Sequence, residues 1–186
     1  MYADLAGPGE ATAPPWLTSV FEQNGSADPS GPPAATCSLA GRTTSPAAAR
    51  EFAARILADW GLPHLIADVQ LVVSELVTNA LRHALAAGPA SGSPILLRLV
   101  RHRSYVGCGV SDDGDGAPAL VAGGDDLSES GRGLHLVDAL SSAWGWLPVE
   151  GGKVVWALFD AGGGAAPDGA AAAPPGPPRA GSARAR

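Results

Sequence analysis

The sequence predicts an α+β fold, a two-layer α/β sandwich in which a mixed, mainly antiparallel sheet carries helices on one face. Three observations lead there. Apolar residues recur at helical spacing through 46–60 and 71–84. Short apolar or alternating runs near 35–40, 95–101, 105–111, 143–147 and 153–159 have the length and pattern of strands. All of these segments fall within 35–160, between flanks rich in Ala, Gly and Pro that read as tails.

Taken in order, residues 1–34 contain Asp4, Glu10, Glu22 and Asp28 but no Lys or Arg, and they read as a disordered acidic tail. Trp16, Leu17, Val20 and Phe21 interrupt it at helical spacing, which suits a short partner-docking segment or chance clustering alike. A strand near 35–40 opens the domain. Ser45 as N-cap and Pro46 at the first helical position start a helix that runs to Trp60, where Gly61 stops it. The 71–84 helix follows, then strands at 95–101 and 105–111, a helix opened by Gly133, and a closing hairpin of 143–147 and 153–159. Trp144 and Trp146 share a strand face by period-two alternation and are assigned to the core, while the open face of the sheet offers a surface for a homodimer. Residues 161–186, nearly all Gly, Ala and Pro and ending in Arg179, Arg184 and Arg186, read as a second disordered tail.

Composition narrows the function classes. The chain has 186 residues, 46% of them apolar, and a formal charge of -6. That is one modest domain with a real core, and the absence of a basic block argues against direct nucleic-acid binding. No apolar run approaches the roughly 20 residues that span a bilayer, and the start lacks the basic and apolar regions of a signal peptide, so no membrane contact and a cytoplasmic location are expected. Cys37 and Cys108 lack metal or redox spacing and read as reduced, partly buried thiols.

Three motifs carry chemistry. In 71–84, LVVSELVTNALRHA, the residues Glu75, Asn79, Arg82 and His83 form one stripe, while Leu71, Val72, Leu76 and Leu81 cover much of the rest. Asn offers a carbonyl oxygen to Mg²⁺, Glu a base, and Arg with His donors for phosphate, although an amphipathic helix with a solvated edge has the same pattern. VSDDGDG at 110–116 ends a strand with Asp112, Gly114 and Gly116. Such a carboxylate can accept a hydrogen bond from an exocyclic amine, and the glycines let backbone approach a ligand, but Asp and Gly after a strand more often make a plain turn. Asp112, Asp113 and Asp115 do not meet the spacing of a calcium loop. SGRGLHLVDAL at 130–140 brackets Arg132 between Gly131 and Gly133 and continues as a helix from Leu134, an arrangement suited to a phosphate chain at a helix start. It is neither a P-loop nor a dinucleotide fingerprint.

In this order and spacing the motifs resemble the N, G1 and G2 boxes of the GHKL superfamily of ATPases, which includes gyrase, MutL and histidine kinases. Within it, ELVTNALRHA, SDDGDG and GRGLHLVDALSSAWGW followed by GGKVVWALF look most like the small actinobacterial anti-sigma-factor serine/threonine kinases, over about 35–160. The resemblance implies the Bergerat ATP-binding fold, with ATP and Mg²⁺ as ligands. It gives Asn79 the role of Mg²⁺ ligand, Glu75 that of general base, and Asp112 that of adenine reader. Gly114 and Gly116 would lie beneath adenine and ribose, and Gly131, Arg132, Gly133 and Leu134 around the phosphates. Phosphate contact by Arg82 and His83 is inferred from the helical face.

Two features depart from the family. Many relatives place a Thr in the final strand beside the adenine-reading Asp, whereas this chain reads Gly152-Lys153-Val154-Val155-Trp156 and offers no hydroxyl there. Loss of that hydrogen bond would weaken adenine binding by about 0.5 to 1.5 kcal/mol. The lid segment 117–130 is short and carries Asp125, Asp126 and Glu129 with no Lys or Arg before Arg132, so Mg²⁺ should matter strongly. The expected function is that of an ATP-binding regulator that phosphorylates a small STAS-type anti-sigma antagonist and sequesters a sigma factor. A non-catalytic, nucleotide-gated protein-binding module is the alternative.

Overall fold

A computed structural model describes residues 11–22, 32–39, 45–87, 94–112 and 132–162. Its elements, in chain order, are α1 (Pro15–Glu22), β1 (Ala34–Leu39), α2 (Ser45–Asp59), a 3-10 turn (Pro63–Leu65), α3 (Ile66–Ala87), β2 (Ile95–His102), β3 (Tyr105–Asp112), α4 (Arg132–Leu140), β4 (Ala143–Val149) and β5 (Gly152–Asp160). The strands form one five-stranded sheet in the order β1-β2-β3-β5-β4. Every pairing is antiparallel, so the expected α+β sandwich holds and its sheet is fully rather than mainly antiparallel.

Register sorts the side chains. Val110 faces Val155, Cys108 faces Ala157 and Val106 faces Phe159 across β3 and β5, and these residues belong to the main core beneath α2, α3 and α4. Trp144 joins that core, as its alternation requires. It is 2% exposed, and its indole nitrogen donates to Asp138 Oδ1 at 2.8 Å, which fixes α4 to β4. On α3, Val72, Leu76 and Leu81 are buried as their spacing predicts, but Leu71 is 48% exposed, because the buried stripe turns away from it. Arg50 on α2 donates to Ser74 Oγ at 2.9 Å, and the Gln70 amide donates to the Arg50 carbonyl, joining α2 to α3 through polar contacts at the rim of the core.

The disordered 1–34 segment of the sequence reading does not extend to the described residues 11–22. These build α1, which lies on the sheet face opposite α2–α4. Physically, that face carries Leu147, Val154, Trp156 and Leu158, which need cover, and Leu17 and Phe21 of α1 provide it at 0% and 7% exposure. A side chain at Gly107 would meet Leu17 at 2.7 Å, and one at Gly109 would collide with the Phe21 ring, so the two glycines form the trough that α1 occupies. Trp16 stacks on His102 with ring centroids 4.6 Å apart, and Arg98 donates from Nε to Thr36 Oγ1 at 3.1 Å and from its guanidinium to the Val20 carbonyl. The face expected to serve a homodimer is thus covered, across β3, β5 and β4, by the chain's own helix.

Cys37 on β1 and Cys108 on β3 are free thiols separated by β2, the second fully buried. Among the described residues no helix is long and apolar enough to cross a membrane.

Candidate functional site

The helix side of the sheet carries the described parts of the predicted motifs. α3 runs through the 71–84 motif as a continuous helix, and its stripe faces the start of α4. Glu75 and Asn79 are half-buried there, while Arg82 and His83, about one turn beyond Asn79, are exposed. Gly133, in the first turn of α4, is buried against this stripe. A Cβ added to it would lie 2.6 Å from Glu75 Oε2 and 3.7 Å from Asn79 Nδ2, so only a residue without a side chain allows this approach. A carboxylate, a carboxamide and a helix start with its unpaired N–H groups therefore share one small volume. Leu134 follows at 4% exposure and anchors α4 into the core.

Asp112 is the last residue of β3 and lies on the same side of the sheet as Val110 and Cys108. Its cross-strand partner is Lys153 of β5, whose Nζ donates to Asp112 Oδ1 at 2.7 Å. The two side chains are 3% and 4% exposed, a buried ion pair. The sequence shows that this segment lacks a hydroxyl, and the structure adds the ammonium that pairs with Asp112. A signal was present: Lys153, Val155, Ala157 and Phe159 alternate onto the core face, so a lysine in that series had to find an acidic partner.

Gly114, Gly116 and Gly131, with Asp113, Asp115 and the acidic lid positions, lie outside the described residues, and of Arg132 only its place at the start of α4 is described. Among the described residues no cluster of three or more His, Cys, Asp or Glu could hold a metal ion by protein ligands alone. A divalent ion at Asn79 fits only if other oxygens complete its shell, which is the usual manner of Mg²⁺ with phosphates and water. The close approach of Gly133 to Glu75 and Asn79 suits such a group.

Comparisons with known proteins agree. The family model of the histidine kinase-like ATPase domain matches residues 39–159. Among solved structures, that of the RsbU and RsbW domains of Rv1364c from Mycobacterium tuberculosis is similar, with a TM-score of 0.52 and 23% identity over 69% of this chain. This chain spans 32% of that one. No curated protein matches. Helix stripe, strand-end aspartate and glycine-led helix sit within the matched region, and the chain belongs to the histidine kinase-like ATPase domain family.

Proposed function

We propose that this chain is a Mg²⁺-dependent, ATP-using protein serine/threonine kinase of the anti-sigma-factor type. It would phosphorylate a small STAS-type anti-sigma antagonist and sequester a sigma factor. The observation that carries this reading is the meeting of Glu75 and Asn79 with Gly133 at the start of α4. When bound, Mg·ATP supplies the transferable γ-phosphoryl group. The carboxamide oxygen of Asn79 holds the metal, and the first turn of α4, with Gly131, Arg132, Gly133 and Leu134, receives the phosphates. Glu75 accepts the proton of the attacking serine hydroxyl at a carboxylate oxygen. Arg82 and His83, exposed further along the stripe, are the donors that meet phosphate oxygens entering from solvent. By the resemblance, Asp112 would receive the base and Gly114 and Gly116 would lie beneath it.

Transfer of labelled γ-phosphate from Mg·ATP into proteins of the native lysate tests the reading. Wild type is expected to label one small protein on serine. Glu75→Ala should lower that rate by about 10²- to 10⁴-fold, the usual contribution of a general base. Transfer left intact by Asn79→Ala would remove the metal assignment. Equal capture of a partner by wild type and Glu75→Ala, with phosphoserine formed by neither, would replace the kinase by a nucleotide-gated binding module.

A further inference from the structure

We propose that Asp138 is a positioning residue for phosphotransfer: by holding Trp144 it sets the rotation of α4, and with it the closeness of Gly133 to Glu75 and Asn79. The inference rests on the kinase reading and extends it to a residue that acts through another. α4 has nine residues, and its first turn supplies the glycine that meets the α3 stripe. At about 3.6 residues per turn, Gly133 and Val137 lie in one row of the helix and Leu134 and Asp138 in the next. Leu134 and Val137, at 4% and 0% exposure, seat α4 on the core, but apolar contact has no preferred direction and leaves a short helix free to rotate slightly. A hydrogen bond is directional. Trp144 Nε1 donates to Asp138 Oδ1 at 2.8 Å, from an indole buried on β4 to a carboxylate at the surface of α4.

Pairing a buried indole does not by itself explain this contact. The chain leaves its other fully buried indole nitrogen, Trp156 Nε1, without a partner, so burial alone did not require an acceptor for Trp144. A carboxylate also makes the bond charge-assisted, and therefore stronger than a neutral acceptor would. Its place gives it leverage. Beyond the helix the Ser142 N–H donates to the Leu158 carbonyl at 2.8 Å, which ties that end of α4 to β5 and leaves rotation as the remaining freedom. Asp138 lies about 7.5 Å along the axis from Gly133, and the helix between them moves as one body. At Gly133 the tolerance is small, since even a single added carbon would stand 2.6 Å from Glu75 Oε2. A rotation that carries Gly133 by about 1 Å either draws the N–H groups of the first turn away from Glu75 and Asn79 or presses backbone onto the carboxylate, and misplacements of that size are costly to a reaction.

The test combines transfer of labelled γ-phosphate with nuclear magnetic resonance of the nucleotide-free, full-length protein. Asp138→Ala and Trp144→Phe are each expected to lower the transfer rate by about tenfold or more, with melting temperatures within a few degrees of wild type. The double variant should lose no more than either alone, because both changes remove the same contact. Asp138→Asn keeps a carbonyl oxygen for the indole and should restore transfer to within about threefold of wild type. It carries the comparison with Asp138→Ala if Trp144→Phe does not fold. In the spectra, Asp138→Ala should shift the backbone amide of Gly133 and the side-chain amide of Asn79, and Asp138→Asn should leave both near their wild-type positions. Transfer by Asp138→Ala within about twofold of wild type, a loss that Asp138→Asn shares in full, or Gly133 and Asn79 signals that stay in place would overturn the proposal. If wild type itself transfers nothing, the kinase reading falls, and the two signals alone decide whether Asp138 places α4.

Discussion

At position 133 a single methyl group decides the geometry of the site. Its Cβ would lie 2.6 Å from Glu75 Oε2, and that oxygen is the far end of a flexible side chain, so Gly133→Ala relocates the carboxylate rather than the backbone. The expected result is a melting temperature within a few degrees of wild type, by calorimetry, and a fall in phosphotransfer of about tenfold or more. Unchanged transfer would mean that Glu75 acts from elsewhere. Cys108 offers a second check at this scale. Burial pushes its thiol up to about 12 from an ordinary 9.0. The folded protein should therefore be alkylated at Cys37 and not at Cys108 near neutral pH. Because the folded state holds this proton more tightly than the unfolded chain, stability is fully present below pH 9 and declines as the pH rises from 9 toward 12. Cys108→Ala should remove that decline from the alkaline unfolding curve.

Individual residues also mark where the sequence was legible. Asp112 could be singled out because a strand followed by Asp and alternate glycines is a local pattern. Its partner could not, because Lys153 lies 41 positions away and meets it only through the pairing of β3 with β5. Glu75 and Asn79 were legible as a stripe on one helix, whereas the closeness of Gly133 to both required the packing of α3 on α4.

Among elements, α1 is the one the composition concealed. Its flanks are rich in Gly, Ala and Pro, and its own apolar residues number too few to fold alone, so the helix depends on the trough above Gly107 and Gly109. Burial of Leu17 and Phe21 contributes about 1.5 to 3 kcal/mol each. Replacing both by Asp should free α1, expose Leu147, Val154, Trp156 and Leu158, and raise binding of a hydrophobic dye. Sedimentation should then show self-association through the uncovered face. A variant that stays monodisperse and dye-silent would mean that α1 is not the cover. The helices of the main core were easier to read, since α2 and α3 are long and periodic and α2 is bounded by Ser45, Pro46 and Gly61.

Over the whole molecule, the fold class followed from the grouping of apolar runs, and strand order did not. The hairpins β2-β3 and β4-β5 are sequence neighbours, but the insertion of β5 between β3 and β4 becomes apparent only in three dimensions. That insertion brings Lys153 to Asp112. The net charge of -6 acts at the same scale, since it opposes any polyanion that arrives without a counterion. Chelation of Mg²⁺ is thus expected to weaken ATP binding by about tenfold or more in titration calorimetry, and to weaken it further at low ionic strength, where screening is least. Equal affinity with and without the metal would argue against a metal-bridged phosphate site.

The glycine trough has a consequence for how the chain finds its register. β3 shows α1 a ridge without side chains at 107 and 109 and, on its other face, the alternate series that ends in Asp112. A slip of one residue between β3 and its neighbours would exchange the faces, turning Cys108 and Val110 into the path of Leu17 and Phe21 and carrying Asp112 to the wrong side. Docking of the amino-terminal helix therefore proofreads the sheet: it seats only on the alignment that also assembles the charged pair.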